Sequence, residues 1–193
     1  MHGDAKRCRM ADATATNETV KVIFSAEAIA ARIDEIARQI AVQKLEKLLV
    51  VAVLTGSFVF AADLIRALHR VGLTPEIDFL SLSSYREAMR SSGRVEILRD
   101  IETDVHDRNV LIIDDILESG RTLAFAKDLI AARGAAQVLT CVLLDKPAVR
   151  AAEIAADFGA FQCPDVFVVG YGMDLARRYR ELPYVGQVVR GGA

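Results

Sequence analysis

The sequence lacks the cysteine pattern of a disulfide-bonded or zinc-binding protein. It has three cysteines, Cys8, Cys141 and Cys163, with neither CxxC spacing nor a paired-histidine pattern beside them. Structural zinc sites and the disulfide frameworks of small secreted proteins require such spacings. The three thiols are therefore interpreted as buried or incidental cysteines in a reducing cytosol.

Long apolar runs and an excess of one charge are also missing. No apolar run reaches the roughly 18 residues of a membrane-spanning helix, and the first twenty residues have no apolar signal-peptide core. The net charge is -2, whereas nucleic-acid-binding surfaces normally carry an excess of Lys and Arg. We therefore predict a cytoplasmic protein that binds neither membrane nor nucleic acid.

Two common nucleotide-binding signatures do not occur either. The chain contains neither G-x-G-x-x-G after a strand nor G-x-x-x-x-G-K-[ST]. Its histidines, His2, His69 and His106, have no spacing suited to a metal site or a catalytic triad. Dinucleotide-binding and P-loop folds therefore lose most of their support.

The sequence does contain an alternation of apolar strands and amphipathic helices. A length of 193 residues with 52% hydrophobic content fits one globular domain. Helices are predicted over residues 26–46, 58–70 and 122–133, and strands over residues 48–54, 76–84, 94–98, 110–113, 137–144 and 166–169. This order predicts an α/β fold, with a mostly parallel central sheet, helices on both faces and a small appended subdomain. Residues 1–18 are predicted to be a disordered N-terminal extension, and residues 19–193 the single domain.

The stretch from Val110 to Leu123 carries the strongest functional signal. Its buried strand is predicted to end at Asp114 and Asp115, at the carboxyl edge where open α/β sheets bind ligands. The Ser119-Gly120 turn then leads into a helix, so the backbone N–H groups of residues 119–122 can converge on one point. The expected occupant is an anion.

Three carboxylates accompany this anion site. Adjacent Asp114 and Asp115 repel each other unless a cation, a proton or hydroxyl donors compensate them, and vicinal ribose hydroxyls would do so with or without Mg²⁺. Glu118 would accept a proton from a bound substrate, or would only cap the turn. A lone Asp-Asp pair is commonly a solvated strand end, but the glycine turn and the helix start favour a functional site.

Other polar groups have roles that the residue pattern leaves open. Thr55-Gly56-Ser57 is either a second cluster of backbone donors or a simple tight turn. Lys146 follows a buried strand, where an ammonium either donates to a carbonyl oxygen or is merely solvated. Asp174 would ligate Mg²⁺ or begin a helix. The basic residues Arg177, Arg178 and Arg180 are by default a solvated face, with phosphate contact as the less favoured alternative for any one of them.

Together these segments resemble the signature by which type I phosphoribosyltransferases hold 5-phosphoribosyl-1-pyrophosphate, and they are most similar to the purine-salvage members. The resemblance runs from about Val20 to Val189. Its motifs occur in the family's order: Leu54-Thr-Gly-Ser-Phe-Val-Phe-Ala-Ala-Asp-Leu64, Ser83-Ser-Tyr85 with Ser91-Ser-Gly93, Leu143-Leu-Asp-Lys-Pro147, and Pro164-Asp-Val-Phe-Val-Val-Gly-Tyr-Gly-Met-Asp174.

The resemblance implies the family's fold, with a small hood formed from the terminal segments, and the family's chemistry. This chemistry is Mg²⁺-dependent transfer of the 5-phosphoribosyl group to N9 of a 6-oxopurine, giving IMP or GMP and pyrophosphate. The implied partners are phosphoribosyl pyrophosphate, a purine base and further copies of the chain in a homodimer or homotetramer. The alternatives are a non-catalytic phosphoribosyl-pyrophosphate-binding regulator of the same fold and, less favoured, a phosphohydrolase or receiver-like domain.

The resemblance also implies roles for individual residues around the sugar and the phosphates. Asp114 and Asp115 would hold the ribose hydroxyls, and Glu118 would take the proton from N7 of the base. Thr55-Gly56, in a loop of unusual peptide geometry, and Arg180 would contact pyrophosphate, and Asp174 would bind Mg²⁺. The 5-phosphate would lie in a cradle formed by Glu118, Ser119, Gly120, Arg121 and Thr122.

The purine and the closing loop receive assignments in the same way. Lys146 would donate to O6, Phe167 would stack on the ring and Val168 would contact the base through its backbone. Ser84 and Tyr85 would lie on the loop that closes over the site, which would exclude water.

The sequence departs from the family's pattern at two residues and in one loop. Glu118 stands where the family usually has Asp, and its extra methylene moves the carboxylate by up to roughly one bond length. Thr55 stands where many relatives have Lys, so one cationic pyrophosphate contact is missing. The closing loop from Tyr85 to Gly93 lacks the usual glycine and threonine after the tyrosine, which bears on its hinge.

Overall fold

The computed structural model describes residues 18–84 and 95–190. Its elements, in chain order, are β1 (Glu18–Phe24), α1 (Ala26–Val42), β2 (Leu49–Leu54), α2 (Phe58–Arg70), β3 (Glu76–Ser84), β4 (Val95–Arg99), β5 (Asn109–Leu117), α3 (Arg121–Ala132), β6 (Gln137–Asp145), a 3₁₀ helix (Pro147–Val149), β7 (Phe158–Gln162), β8 (Val168–Val169) and β9 (Val185–Arg190). No helix in this described part is long and apolar enough to cross a membrane. The predicted extension lies outside the described residues except for Glu18, which begins β1.

The central sheet has six strands in the order β4-β3-β2-β5-β6-β7. All its neighbouring strands are parallel except β3 and β4. Helices α1 and α2 pack on one face and α3 on the other, so the middle strands are buried on both sides and read as continuous apolar runs. The predicted α/β class is therefore confirmed.

Helix α1 shows why the sequence predicted its start better than its end. The Ser25 hydroxyl accepts the N–H of Ala28 at 3.3 Å and caps the first turn. The buried stripe of the helix is formed by Ile29, Ile33, Ile36, Ala37 and Ile40. The helix ends at Val42 and not at residue 46, because Gln43 and Lys44 offer no apolar side chain to continue this stripe.

Strand β5 is longer than the sequence predicted. The apolar run ends at Ile113, but the strand continues to Leu117 because the ladder to β6 continues. Asp114 pairs with Val142, and Leu117 pairs with Asp145. The two adjacent aspartates therefore belong to the strand itself and do not follow its end, which fixes their backbone more firmly than a loop would.

A second, three-stranded antiparallel sheet has the order β1-β9-β8 and joins the strands nearest the two ends of the described chain. Val168 of β8 and Val185 of β9 are buried in the same core as α1. The sequence pattern left β7 and β9 unassigned and predicted β8 over residues 166–169. The strand is shorter because its ladder to β9 pairs only Val168 and Val169.

A buried carboxylate ties the segment after β4 to β3. Asp78 is 6% exposed and accepts the N–H groups of Phe79 at 2.7 Å and of Glu102 and Thr103 at 2.8 Å. Burial acts to raise the pKa of Asp78, but these N–H donors together outweigh it and hold the pKa below its ordinary value of 3.8.

Asp78 should therefore stabilise the fold in a pH-dependent way. Because its pKa is lower in the folded chain, its contribution is present above the unfolded pKa and is lost as the pH falls through the folded pKa. Asp78→Asn should lower the free energy of unfolding by about 1–3 kcal/mol at pH 7. Urea unfolding at pH 7 and at about pH 3 would show this difference shrinking in acid. The exposed Asp128→Asn in α3 is the control, and an equal loss at both pH values would contradict the argument.

Candidate active site

The carboxyl ends of β2, β5 and β6 open into a cleft of about 320 Å³. Parallel strands end at one edge, so residues far apart in the sequence meet there. Most of the predicted site residues line this cleft: Thr55, Gly56, Asp114, Asp115, Glu118, Thr122, Lys146, Phe167, Val168, Asp174 and Arg180.

The turn between β5 and α3 forms a smaller adjoining pocket. Ser119, Gly120 and Thr122 line it. Gly120 has a φ of 80°, and a Cβ there would lie 2.7 Å from Ile154, so the position requires glycine. Thr122 and Leu123 of the first turn of the 12-residue helix α3 line this pocket as well, so the positive end of the helix dipole lies beside it. The pocket is suited to an anion such as a phosphate.

Arg121 is a predicted site residue whose side chain the structure does not bring to either pocket. It is exposed at the first position of α3, whereas the next residue, Thr122, faces the cleft. Successive helix positions differ by about 100°, so two neighbours rarely share a face. Arg121 belongs to the turn only through its backbone N–H, which lies 3.4 Å from Ser119 Oγ.

The predicted closing loop is only partly described. Ser84 is the last residue of β3, at the same carboxyl edge of the sheet as the cleft. Tyr85 lies outside the described residues, and the assignment of a closing loop stays a prediction.

The loop after β2 packs closely against the neighbouring segments. Its Leu54–Thr55 peptide is cis, which is an unusual geometry of the kind that the resemblance implies. A Cβ added at Gly56 would lie 1.8 Å from Asp115 Oδ2, and one added at Gly172 would lie 2.2 Å from the Gly56 carbonyl oxygen. These glycines therefore let three chain segments meet at one side of the cleft.

The two adjacent aspartates are oriented by the backbone. Asp114 Oδ1 accepts the N–H of Asp115 at 2.9 Å, and Asp115 Oδ1 accepts the N–H of Ile116 at 3.0 Å. Asp114 is 6% exposed and Asp115 is half-buried. Held in this way, the pair presents carboxylate oxygens to the cleft, where hydroxyl groups or a cation would be their partners.

Lys146 is buried and pairs with Glu118. The lysine is 5% exposed, so its interpretation as a solvated side chain is wrong. Its Nζ lies 2.9 Å from Glu118 Oε1, 3.1 Å from the Val166 carbonyl oxygen and 3.8 Å from Asp165 Oδ1. A buried ammonium requires such partners. The pair places one proton acceptor and one cationic donor side by side in the cleft.

Asp174 and Arg180, which both line the cleft, form a second ion pair. Asp174 Oδ1 lies 2.8 Å from Arg180 Nη2, and its Oδ2 accepts the N–H of Arg177 at 2.6 Å. No helix follows Asp174 within residues 175–190, so its interpretation as a helix start is wrong. Arg177 and Arg178 are exposed, as a solvated face requires, and Arg180 alone of the three lines the cleft.

The apolar part of the lining was not predicted from the sequence. Leu82, Ile116 and Met173 all contribute to the cleft. Ile116 had a usable signal, because side chains alternate along a strand and Ile116 shares a face with Asp114. Leu82 had no comparable signal, since its approach depends on how β3 packs beside β2.

A contact outside the predicted set anchors the turn that precedes Asp174. The Tyr171 hydroxyl donates to Asp63 Oδ2 of α2 at 2.5 Å. Burial, and then the bond to Asp63, raise the pKa of Tyr171, so its hydroxyl stays protonated and keeps donating. This bond fastens the turn carrying Asp174 to the helix that follows the Thr55-Gly56 loop.

The oxygen ligands of the cleft are suited to Mg²⁺ in one particular mode. Within residues 18–84 and 95–190, no three His, Cys, Asp or Glu side chains are grouped so as to hold a metal by themselves. Mg²⁺ is commonly bound through one or two carboxylates, with substrate phosphates completing its shell. Asp174 lines the cleft that adjoins the anion pocket, and it could supply one such carboxylate.

Known proteins are similar to this chain in both sequence and fold. Residues 19–176 match the family model of the phosphoribosyl transferase domain. The chain is 42% identical over 174 residues to the hypoxanthine phosphoribosyltransferase of Buchnera aphidicola subsp. Schizaphis graminum, covering 89% of this chain and 97% of that protein.

Solved structures agree with this match. A hypoxanthine-guanine phosphoribosyltransferase from Bacillus anthracis superimposes with a TM-score of 0.81 at 41% identity, covering 89% of this chain and 100% of that one. A hypoxanthine phosphoribosyltransferase from Trypanosoma cruzi, whose C-terminal region has been studied for its role in oligomeric state and enzymatic activity, gives 0.82 at 36% identity, covering 88% and 91%. The chain is therefore a transferase of the type I phosphoribosyltransferase family, in the group of the hypoxanthine and hypoxanthine-guanine phosphoribosyltransferases.

Proposed function

We propose that the chain transfers the 5-phosphoribosyl group of 5-phosphoribosyl-1-pyrophosphate to N9 of hypoxanthine, and also of guanine, in a Mg²⁺-dependent reaction of purine salvage. The products would be IMP or GMP and pyrophosphate. The observation that carries the proposal is the Lys146–Glu118 pair at 2.9 Å beside an anion-binding turn, since it supplies both groups that a 6-oxopurine needs.

The turn and the adjacent aspartates would hold the ribose phosphate. The pocket of Ser119, Gly120 and Thr122 takes the 5-phosphate on backbone N–H groups at the start of α3. Asp114 and Asp115 accept the two ribose hydroxyls, which relieve the repulsion between the carboxylates.

The other half of the cleft would read the base. Lys146 donates to the purine O6, which is an acceptor, and would have no acceptor on the amino group of adenine. Phe167 is 55% exposed and offers a ring face for stacking, with Val168 beside it. A 6-oxopurine is therefore favoured over a 6-aminopurine.

Glu118 would receive the proton that the base loses. The N9 lone pair forms the bond to C1 of the ribose, and the bond from C1 to pyrophosphate breaks with its electrons leaving on pyrophosphate. The N7 proton passes to the Glu118 carboxylate, which returns it to water afterwards. Arg180 and the Thr55-Gly56 loop would hold the departing pyrophosphate.

Asp174 would hold Mg²⁺, which when bound neutralises charge on the phosphates. Asp174→Asn should raise the Mg²⁺ concentration that gives half-maximal rate by about tenfold, because it removes the charged ligand. Titration of Mg²⁺ at saturating substrates measures this. The exposed Glu181→Gln is the control, and an unchanged titration of Asp174→Asn would remove Asp174 from the metal site.

The remaining expectations belong to the same proposal. The three-stranded sheet of β1, β9 and β8 would be the hood, because it carries Val168 to the cleft. The chain would act in the cytoplasm as a homodimer or homotetramer. Chromatography with light scattering on the purified protein tests the assembly.

A panel of bases tests the reaction itself. The purified chain is incubated with Mg²⁺, phosphoribosyl pyrophosphate and hypoxanthine, guanine, xanthine or adenine, and nucleotide and pyrophosphate are measured. We expect product with hypoxanthine and guanine, and at most about a hundredth of that rate with adenine. No product with any 6-oxopurine would exclude the transferase, and binding of phosphoribosyl pyrophosphate without turnover would favour the regulatory alternative.

A further inference from the structure

Arg150 bonds the backbone of the turn between β5 and α3. This turn, residues 118–120, is called the phosphate turn below. The Arg150 side chain is 18% exposed. Its Nε donates to the Glu118 carbonyl oxygen at 3.0 Å, its Nη2 to the Leu117 carbonyl oxygen at 3.1 Å and its Nη1 to the Ile154 carbonyl oxygen at 2.6 Å. Nη2 also bonds the Asp145 carboxylate at the end of β6. Every nitrogen of the guanidinium group therefore has a partner.

The segment around Arg150 holds the neighbouring carbonyl groups as well. The Leu117 carbonyl oxygen also accepts the N–H of Lys146 at 3.0 Å. The Ser119 carbonyl oxygen accepts the N–H groups of Ala151 at 2.9 Å and of Ala152 at 3.0 Å. All three carbonyl groups of residues 117–119 are thus held by residues 146–152.

This arrangement sets the direction of the N–H groups in the turn. In a planar trans peptide the C=O and the following N–H point in opposite directions. Carbonyl groups 117–119 point towards residues 146–152, so the N–H groups of residues 118–120 point away from them. That orientation directs the N–H groups of Ser119 and Gly120, both of which line the adjoining pocket, to the side of the turn where an anion would accept them.

We infer that Arg150 is a positioning residue that fixes the phosphate turn and Glu118 for the reaction without touching substrate, an inference that rests on the proposed function. Arginine is needed because its rigid planar fork satisfies several acceptors at once, whereas a lysine ammonium is a single point. Tight packing supports this role, since a Cβ at Gly120 would lie 3.1 Å from Arg150 Cδ.

Arg150→Lys keeps the positive charge but removes the planar guanidinium group, whose nitrogens bond several acceptors at once. We expect its KM for phosphoribosyl pyrophosphate to rise and its kcat to fall, each by about tenfold, because the turn and Glu118 both shift. The KM is the decisive measurement. A partly unfolded sample lowers the apparent kcat but leaves the KM of its folded fraction unchanged.

Arg32 provides a matched control. Its Nε donates to the Ala160 carbonyl oxygen at 3.0 Å, its Nη2 to the Gly159 carbonyl oxygen at 2.9 Å, and its Nη1 pairs with Glu35 at 2.7 Å. This is the same kind of fork, but it joins α1 to β7 and does not contact the turn. Arg32→Lys should lower the melting temperature and leave both KM and kcat unchanged.

Binding of ribose 5-phosphate, measured by calorimetry, separates this inference from the proposed reaction because it requires no turnover. Arg150→Lys should bind it about tenfold more weakly than wild type and Arg32→Lys equally well. Equal binding and equal KM in Arg150→Lys would overturn the inference even if the wild type is active. A wild type that neither binds nor turns over would overturn both proposals. If Arg150→Lys does not fold, Asp145→Asn is measured in the same assays. We expect it to lose less affinity for ribose 5-phosphate than Arg150→Lys would, and an unchanged affinity and KM would contradict the inference.

Discussion

Glu118→Gln should lower kcat by about a thousandfold while changing the KM for phosphoribosyl pyrophosphate by no more than a few fold. The amide keeps the size of the side chain and cannot accept the N7 proton. In the proposed reaction the 5-phosphate binds to backbone N–H groups of the turn between β5 and α3, which the substitution leaves in place. Steady-state kinetics with hypoxanthine, together with calorimetric binding of phosphoribosyl pyrophosphate, measures the two effects separately.

Two further variants make the Glu118 result specific. Glu153→Gln removes an exposed carboxylate from the segment that carries Arg150, and its activity should equal that of wild type. Glu118→Asp should stay within about tenfold of wild type, because a carboxylate remains and only its reach changes. Turnover of Glu118→Gln equal to that of wild type would remove Glu118 from proton transfer.

Gly56→Ala should lower kcat/KM for phosphoribosyl pyrophosphate by about a hundredfold. The added Cβ would lie 1.8 Å from Asp115 Oδ2, so either the loop or the carboxylate must move. Movement of Asp115 would lose its proposed ribose contact, and movement of the loop would lose its proposed pyrophosphate contacts. The damage should therefore appear in both KM and kcat.

Gly159→Ala in β7 is the matched substitution, since a Cβ there would meet nothing within 4 Å. Its kinetics should equal those of wild type. Thermal unfolding of both variants checks that the loss in Gly56→Ala is local. Kinetics of Gly56→Ala within a few fold of wild type would show that the Asp115 carboxylate can turn aside without cost.

The sequence predicted the strand and helix boundaries that depend on residues close together in the chain. The start of α1 follows from the hydroxyl of Ser25 and an apolar stripe, both visible in the chain. The end of β5 does not, because the ladder from Asp114 to Leu117 exists only beside β6. Strand β9 was missed for the same reason, since its partners are β1 and β8, far away in the sequence.

The residues of the site also fall into those that short sequence motifs predicted and those that depend on packing between distant segments. Asp114, Gly120 and Asp174 belong to short motifs with a recognisable chemistry, and the structure brings all three to the cleft or its adjoining pocket. The burial of Lys146 and the bond between Tyr171 and Asp63 depend on the packing of distant segments. No spacing in the sequence could have indicated them.

The 3₁₀ helix Pro147–Val149 is the shortest helix described, and it separates Lys146 from Arg150. Lys146, which we propose to read the base, precedes it, and Arg150, which bonds the backbone of the turn proposed to hold the 5-phosphate, follows it. One added or deleted residue there would shift both side chains relative to each other, whereas neighbouring loops on the surface absorb such changes. In the proposed reaction, this single turn of helix would therefore set the separation between the base and the ribose phosphate.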